Sequence, residues 1–223
     1  MKNYIAEKVK DTTRHIRFGN TTVEEIDEVP KSINLQGVFK TLESAFPSHY
    51  FHNLKGIKIV HLDEFDTRKV NAVYRDNTFY ITNRQENTKD ILDDVVHEFA
   101  HHLETIFPEE IYSDQALIGE FLKKRYELKF ELQSEGYWVN EYNFDELKYD
   151  SNFDNFLYQR VGGNMLRMLT SGLFIRPYSA VSIREYFATG FEAFYLGKRD
   201  TLEKISPMLY DKIKDLHHYY TDF

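Results

Sequence analysis

The run TKDILDDVVHEFAHHLETI, residues 88–106, constrains the chain more than any other stretch. Ile91, Leu92, Val95, Val96, Phe99, Ala100, Leu103 and Ile106 recur at helical spacing and predict a buried helix over 88–106. The same run carries His97, Glu98 and His101. Four residues advance a helix by about 400°, so the two histidines point the same way, one turn apart. Glu98 stands about 100° round from His97. Two imidazoles so placed can bind one tetrahedral zinc, and a carboxylate between them can reach a water on that metal without displacing it. The chemistry expected of this pattern is a water whose pKa falls towards ~7, with Glu98 as the base that takes its proton. The plainer alternative is that both histidines are polar residues on a wet helix face. Asp93, Asp94 and Glu104 lie on the histidine face. They are candidates to orient the imidazoles, or simply acids that favour a helix start. His102 points about 140° away from His97 and is not expected to be a ligand.

A zinc site needs a third protein ligand, and composition narrows the choice. The chain has no cysteine, so the ligand must be His, Asp or Glu, and no disulfide holds the fold. Its 223 residues and 42% hydrophobic content suit one globular domain. A net charge of -8 argues against a nucleic-acid-binding surface. The opening MKNYIAEKVKDTTRHIRFGN lacks an apolar signal core, and no later run is long enough to span a bilayer. The expectation is a soluble chain, cytoplasmic as written, whose partner is a peptide or protein rather than nucleic acid or membrane.

Other elements surround the motif. Residues 32–46 read as an amphipathic helix with Ser32 as N-cap, and 56–62 as a strand. NAVYRDNTFYITN reads as a hairpin turning at Asp76-Asn77. After Pro108 the pattern is helical, over 114–135, 153–171, 182–196 and from Ser206-Pro207 onward, with an irregular acidic stretch at 141–154. The predicted class is α+β and mainly helical: a small mixed β-sheet, the motif helix, and a helical C-terminal half. A single catalytic domain is expected over 1–223, made of a sheet lobe (1–107), a helical insertion or lid (108–175) and a C-terminal helical lobe (176–223).

The third ligand is sought in YSAVSIREYFATGFEAFY, residues 178–195. Ser182-Ile183-Arg184-Glu185 is a capping-box sequence, in which Glu185 would reach back to the N-cap amide. Glu192 lies on nearly the same face and is the fallback ligand. HEFAH, followed later by Tyr178 and then Glu185-Tyr186-Phe187-Ala188, resembles the catalytic domain of anthrax lethal factor and the related Pro-Pro endopeptidases. These are gluzincins, zinc peptidases with a glutamate as third ligand. The resemblance implies a zincin-like fold and one zinc ion per chain, held by His97, His101 and Glu185. It implies Glu98 as general base and Tyr178 as the residue that assists the transition state. It covers 78–107 and 176–196. It departs from lethal factor at Thr189, where that protein has an acid, and in the longer interval from His101 to Glu185. The function so implied is a zinc metalloendopeptidase, with the TFYIT run (78–82) as the sheet edge that pairs with an extended substrate. The alternative is a zinc-binding module that no longer cleaves, a pseudo-protease or toxin-like binding domain.

Overall fold

The structure is a computed structural model that describes residues 14–68 and 70–219. It is α+β, with a small mixed sheet of five strands among the described residues. The chain divides into two compact units, with the break after Ile106.

The first unit holds the sheet. Strands β1 (Arg14–Phe18) and β2 (Thr21–Glu25) pair antiparallel through a tight turn. Gly19 makes that turn at φ +58°, and a Cβ on it would fall 2.6 Å from the Phe51 ring. Only glycine combines that backbone with that closeness. Neither strand was expected, because the first twenty residues read as merely polar. The signal was the alternation of Thr21, Val23 and Glu25, which all point inward. Helix α1 (Leu35–Ala45) is capped by Asn34, whose side chain accepts from the Gly37 amide at 2.9 Å, rather than by Ser32. Strand β3 (Gly56–Ile59) and the short helix α2 (Asp63–Arg68) lead into the hairpin of β4 (Ala72–Arg75) and β5 (Thr78–Ile81). The turn residues Asp76 and Asn77 both have positive φ, 53° and 61°, as a type I′ turn requires.

The strand order is β1-β2-β3-β5-β4. This corrects the expectation that residues 78–82 form a sheet edge. Tyr80 of β5 faces Lys58 of β3 on one side and Val73 of β4 on the other. The hairpin places β4 outermost, so β4 presents the unpaired backbone there.

Helix α3 (Thr88–Ile106) forms over the expected span. Its anchor is Phe99, the residue after Glu98. The Phe99 ring lies 4.7 Å from that of Phe46, 5.0 Å from Phe79, and 5.7 Å from both Phe18 and Phe51. Edge-on and tilted aromatic pairs of this kind are each worth about 0.5–1.5 kcal/mol beyond the area they bury. The core therefore fixes the rotation of α3 about its axis at the turn that carries the motif.

The second unit is helical: α4 (Pro108–Tyr112), α5 (Ala116–Ser134), α6 (Ser151–Asn155), a π-helical stretch (Phe156–Gly162), α7 (Gly163–Leu169), a 3-10 turn (Pro177–Ala180), α8 (Ile183–Tyr195), α9 (Arg199–Ile205) and α10 (Pro207–His218). The single helix expected over 153–171 is three pieces. Gly162 takes φ +85°, outside the helical region, and breaks the ladder there. Helix α8 ends before Gly197, at φ +84°, as its sequence suggests. A Cβ on Gly190 of α8 would fall 2.3 Å from Leu209, so the missing side chain lets α10 pack close against α8. No helix among the described residues is long and apolar enough to cross a membrane.

Candidate metal centre

Both motif histidines project from α3, with ring centroids 4.8 Å apart and ring planes at 87°. Glu98, between them in sequence, is buried at 6% exposure. His101 Nδ1 lies 2.9 Å from Glu104 Oε2. A carboxylate oxygen accepts, so Nδ1 carries the proton and Nε2 is the nitrogen suited to a metal. Of the three acids weighed as orienting groups, Glu104 is the one hydrogen-bonded to a motif histidine. Asp94 instead accepts from Gln85 Nε2 at 2.8 Å, and Asp93 pairs with Lys89. Burial, with a smaller contribution from the neighbouring Glu98 charge, pushes the Asp94 carboxyl up to about 6.

His102 is fully buried and turned away from the pair. Its Nε2 lies 3.1 Å from the Tyr50 carbonyl and its Nδ1 2.9 Å from the Tyr74 hydroxyl. The carbonyl can only accept, so Nε2 donates and Nδ1 accepts from the phenol. This histidine ties the helix to the hairpin, with both ring nitrogens engaged in hydrogen bonds. Burial lowers its pKa to about 4. Above pH ~6.5 the ring is neutral folded or unfolded. Below that, the unfolded chain takes up a proton that the folded chain refuses, so stability falls with pH down to about 4, the folded value. The loss is about 1.4 kcal/mol per pH unit across that window. The raised Asp94 works in the opposite direction between about 6 and its ordinary value, because the folded state there holds the extra proton. The difference between wild type and His102→Gln isolates the histidine, since glutamine can keep both hydrogen bonds. In urea titrations with chelator present, wild type is expected to lose stability relative to His102→Gln from pH 6.5 to 4. Parallel curves would refute the assignment.

In the second unit, Ser182 caps α8. Its Oγ accepts from the Glu185 amide at 3.3 Å, the Ser182 half of the capping box. His97, His101 and Glu185 each offer one ligand atom, and these atoms lie within 4.8 Å of one another. Glu192, the fallback, is buried and paired with Arg176 at 2.6 Å. Two imidazoles and one carboxylate make a donor set whose chemistry suits zinc.

Tyr178 sits in the 3-10 turn ahead of α8. Partial burial pushes its phenol well above the usual value, and the charges of Glu185 and Asp154 add to the effect. Its ring lies 6.0 Å from that of Tyr158 on the π-helical stretch. Tyr149 donates to Asp154 Oδ2 at 2.8 Å. Burial and Asp154 raise both Tyr149 and Tyr158 to about 12.

The turn is held from behind by Arg125, which sequence reasoning passed over. Arg125 is 1% exposed. Its Nη1 donates to the Ala180 carbonyl at 2.8 Å, and its Nη2 to that of Asn143 at 3.1 Å. The guanidinium lies 4.1 Å over the Phe153 ring. Burial lowers its pKa to about 10, so it stays charged at neutral pH. The available signal was a cation set among Phe121, Leu128 and Leu132 on the apolar face of α5.

Comparison with protein-family models, with curated proteins and with solved structures finds no match.

Proposed function

We propose that this chain is a zinc-dependent metalloendopeptidase in which His97, His101 and Glu185 hold the metal. The observation that carries this reading is the meeting of those three side chains, within 4.8 Å, beside a buried glutamate on the same helix turn. A zinc ion bound there would supply Lewis acidity and lower the pKa of water at neutral pH. Glu98 takes the proton of the attacking water and returns it to the departing amine. Glu104 fixes the tautomer and orientation of His101. Tyr178 donates a hydrogen bond to the carbonyl oxygen as negative charge gathers on it. Its raised pKa suits that task, because a phenol that stays protonated remains a donor. A substrate strand would pair with β4, an edge strand of the sheet and the one in the hairpin before α3, rather than with β5.

The metal test comes first. Purified wild type is expected to carry about one zinc per chain by elemental analysis. His97→Ala with His101→Ala should carry none, and Glu185→Gln should lose most of it. Full zinc in the double histidine variant would refute the site. If Glu185→Gln keeps its zinc and only melts at lower temperature, Glu185 is a capping residue. Casein or a peptide library, with and without chelator, then separates a peptidase from a zinc module that does not cleave.

A further inference from the structure

Helix α5 is apolar on two sides. Leu117, Phe121, Leu128 and Leu132 are fully buried. On the other side Phe130 is 67% exposed and Tyr126 47%. The second side looks onto an open recess of about 910 Å³ between α5 and α7, whose apolar surface includes Met168 and Leu173. Met168 is itself 57% exposed. Aromatic side chains and a flexible thioether in one concave patch, outside the core, are the composition of an adaptable binding surface.

The recess also has a charge pattern. Glu127, Glu131 and Glu135 lie along it at four-residue spacing, with Lys123 as the cation among its lining residues. On a helix this spacing sets the three carboxylates in one row, about 12 Å from first to last. A row of that spacing matches lysines or arginines placed four apart on another helix. A second copy of the chain would bring the same acidic row, and anionic lipid would meet it unfavourably.

From these features we propose that the α5–α7 recess docks a basic, amphipathic helical segment of a partner protein. The apolar stripe of that helix seats on Phe130, Tyr126 and Met168, and its basic flank runs along the glutamate row. The proposal stands apart from the metal centre and survives if that reading fails.

The test uses two fluorescent peptides of about 18 residues with the same leucine stripe at helical spacing, one flanked by lysine and one by glutamate. Anisotropy with the full chain should show the lysine peptide binding at least about tenfold tighter at low salt, the gap narrowing as ionic strength rises. Phe130→Ser with Met168→Ser should abolish that binding. Both side chains are exposed, so an unchanged melting temperature verifies the fold. Glu127→Lys with Glu131→Lys should reverse the preference between peptides. No binding of either peptide, equal binding of both, or wild-type binding by the Phe130→Ser, Met168→Ser variant would overturn the proposal. So would sedimentation showing a dimer that this variant dissolves, because the occupant would then be a second copy.

Discussion

Glu98→Gln is expected to keep its fold and its zinc while losing peptide hydrolysis by about 10²–10⁴-fold. The reasoning rests on shape and charge. Glu98 is buried on a helix whose next residue, Phe99, is packed among four aromatic rings. Alanine there would remove volume as well as the carboxylate. Glutamine keeps the volume and can no longer accept a proton at neutral pH, so the loss it causes is a loss of chemistry. The proposed ligands His97, His101 and Glu185 are untouched, so zinc content should match wild type. Removing the negative charge should also let the Asp94 carboxyl titrate lower, since Glu98 is one of the groups holding it up near 6. That shift, read by NMR, shows that the substitution acted locally. Turnover of a good peptide substrate at the wild-type rate would remove Glu98 from the mechanism, whatever the metal analysis shows.

Tyr178→Phe is the second large effect. When water attacks a peptide carbonyl, charge builds on its oxygen, and a phenol placed near the metal can stabilise it. Loss of one such donor typically costs on the order of 10²-fold or more in turnover. The contact matters in the transition state more than in the bound ground state, so kcat should fall while KM and zinc content change little. The backbone turn should survive, because it is held by the Arg125 bonds to carbonyls and by the Ser182 cap, neither of which uses the phenol. A Tyr178→Phe variant that cleaves within about twofold of wild type would make Tyr178 a packing residue.

Helix α3 runs from Thr88 to Ile106, as its apolar period requires, because that period depends only on a helix meeting a core. The I′ turn at Asp76-Asn77, the stop at Gly197 and the start at Ser206-Pro207 depend on the backbone preferences of one or two residues. The common face of His97 and His101 follows from helix geometry alone. The α+β class follows from the order of these signals along the chain.

Other features needed the tertiary structure, because they depend on what stands opposite a residue. A strand's own sequence does not say whether both its edges are paired, so β5 looked like a sheet edge until β3 and β4 were placed beside it. Asp93, Asp94 and Glu104 share a helix face, and only the rotamers and neighbours decide that Glu104 binds His101 while Asp94 turns to Gln85. Ser182-Ile183-Arg184-Glu185 reads as a capping box, and its serine does cap α8. Whether the Glu185 carboxylate also reaches the two histidines is a matter of long-range folding, since the residues lie far apart in sequence. Arg125 could be seen as a cation on an apolar face. Which carbonyls satisfy it is decided by where the 3-10 turn comes to rest, and no local rule encodes that.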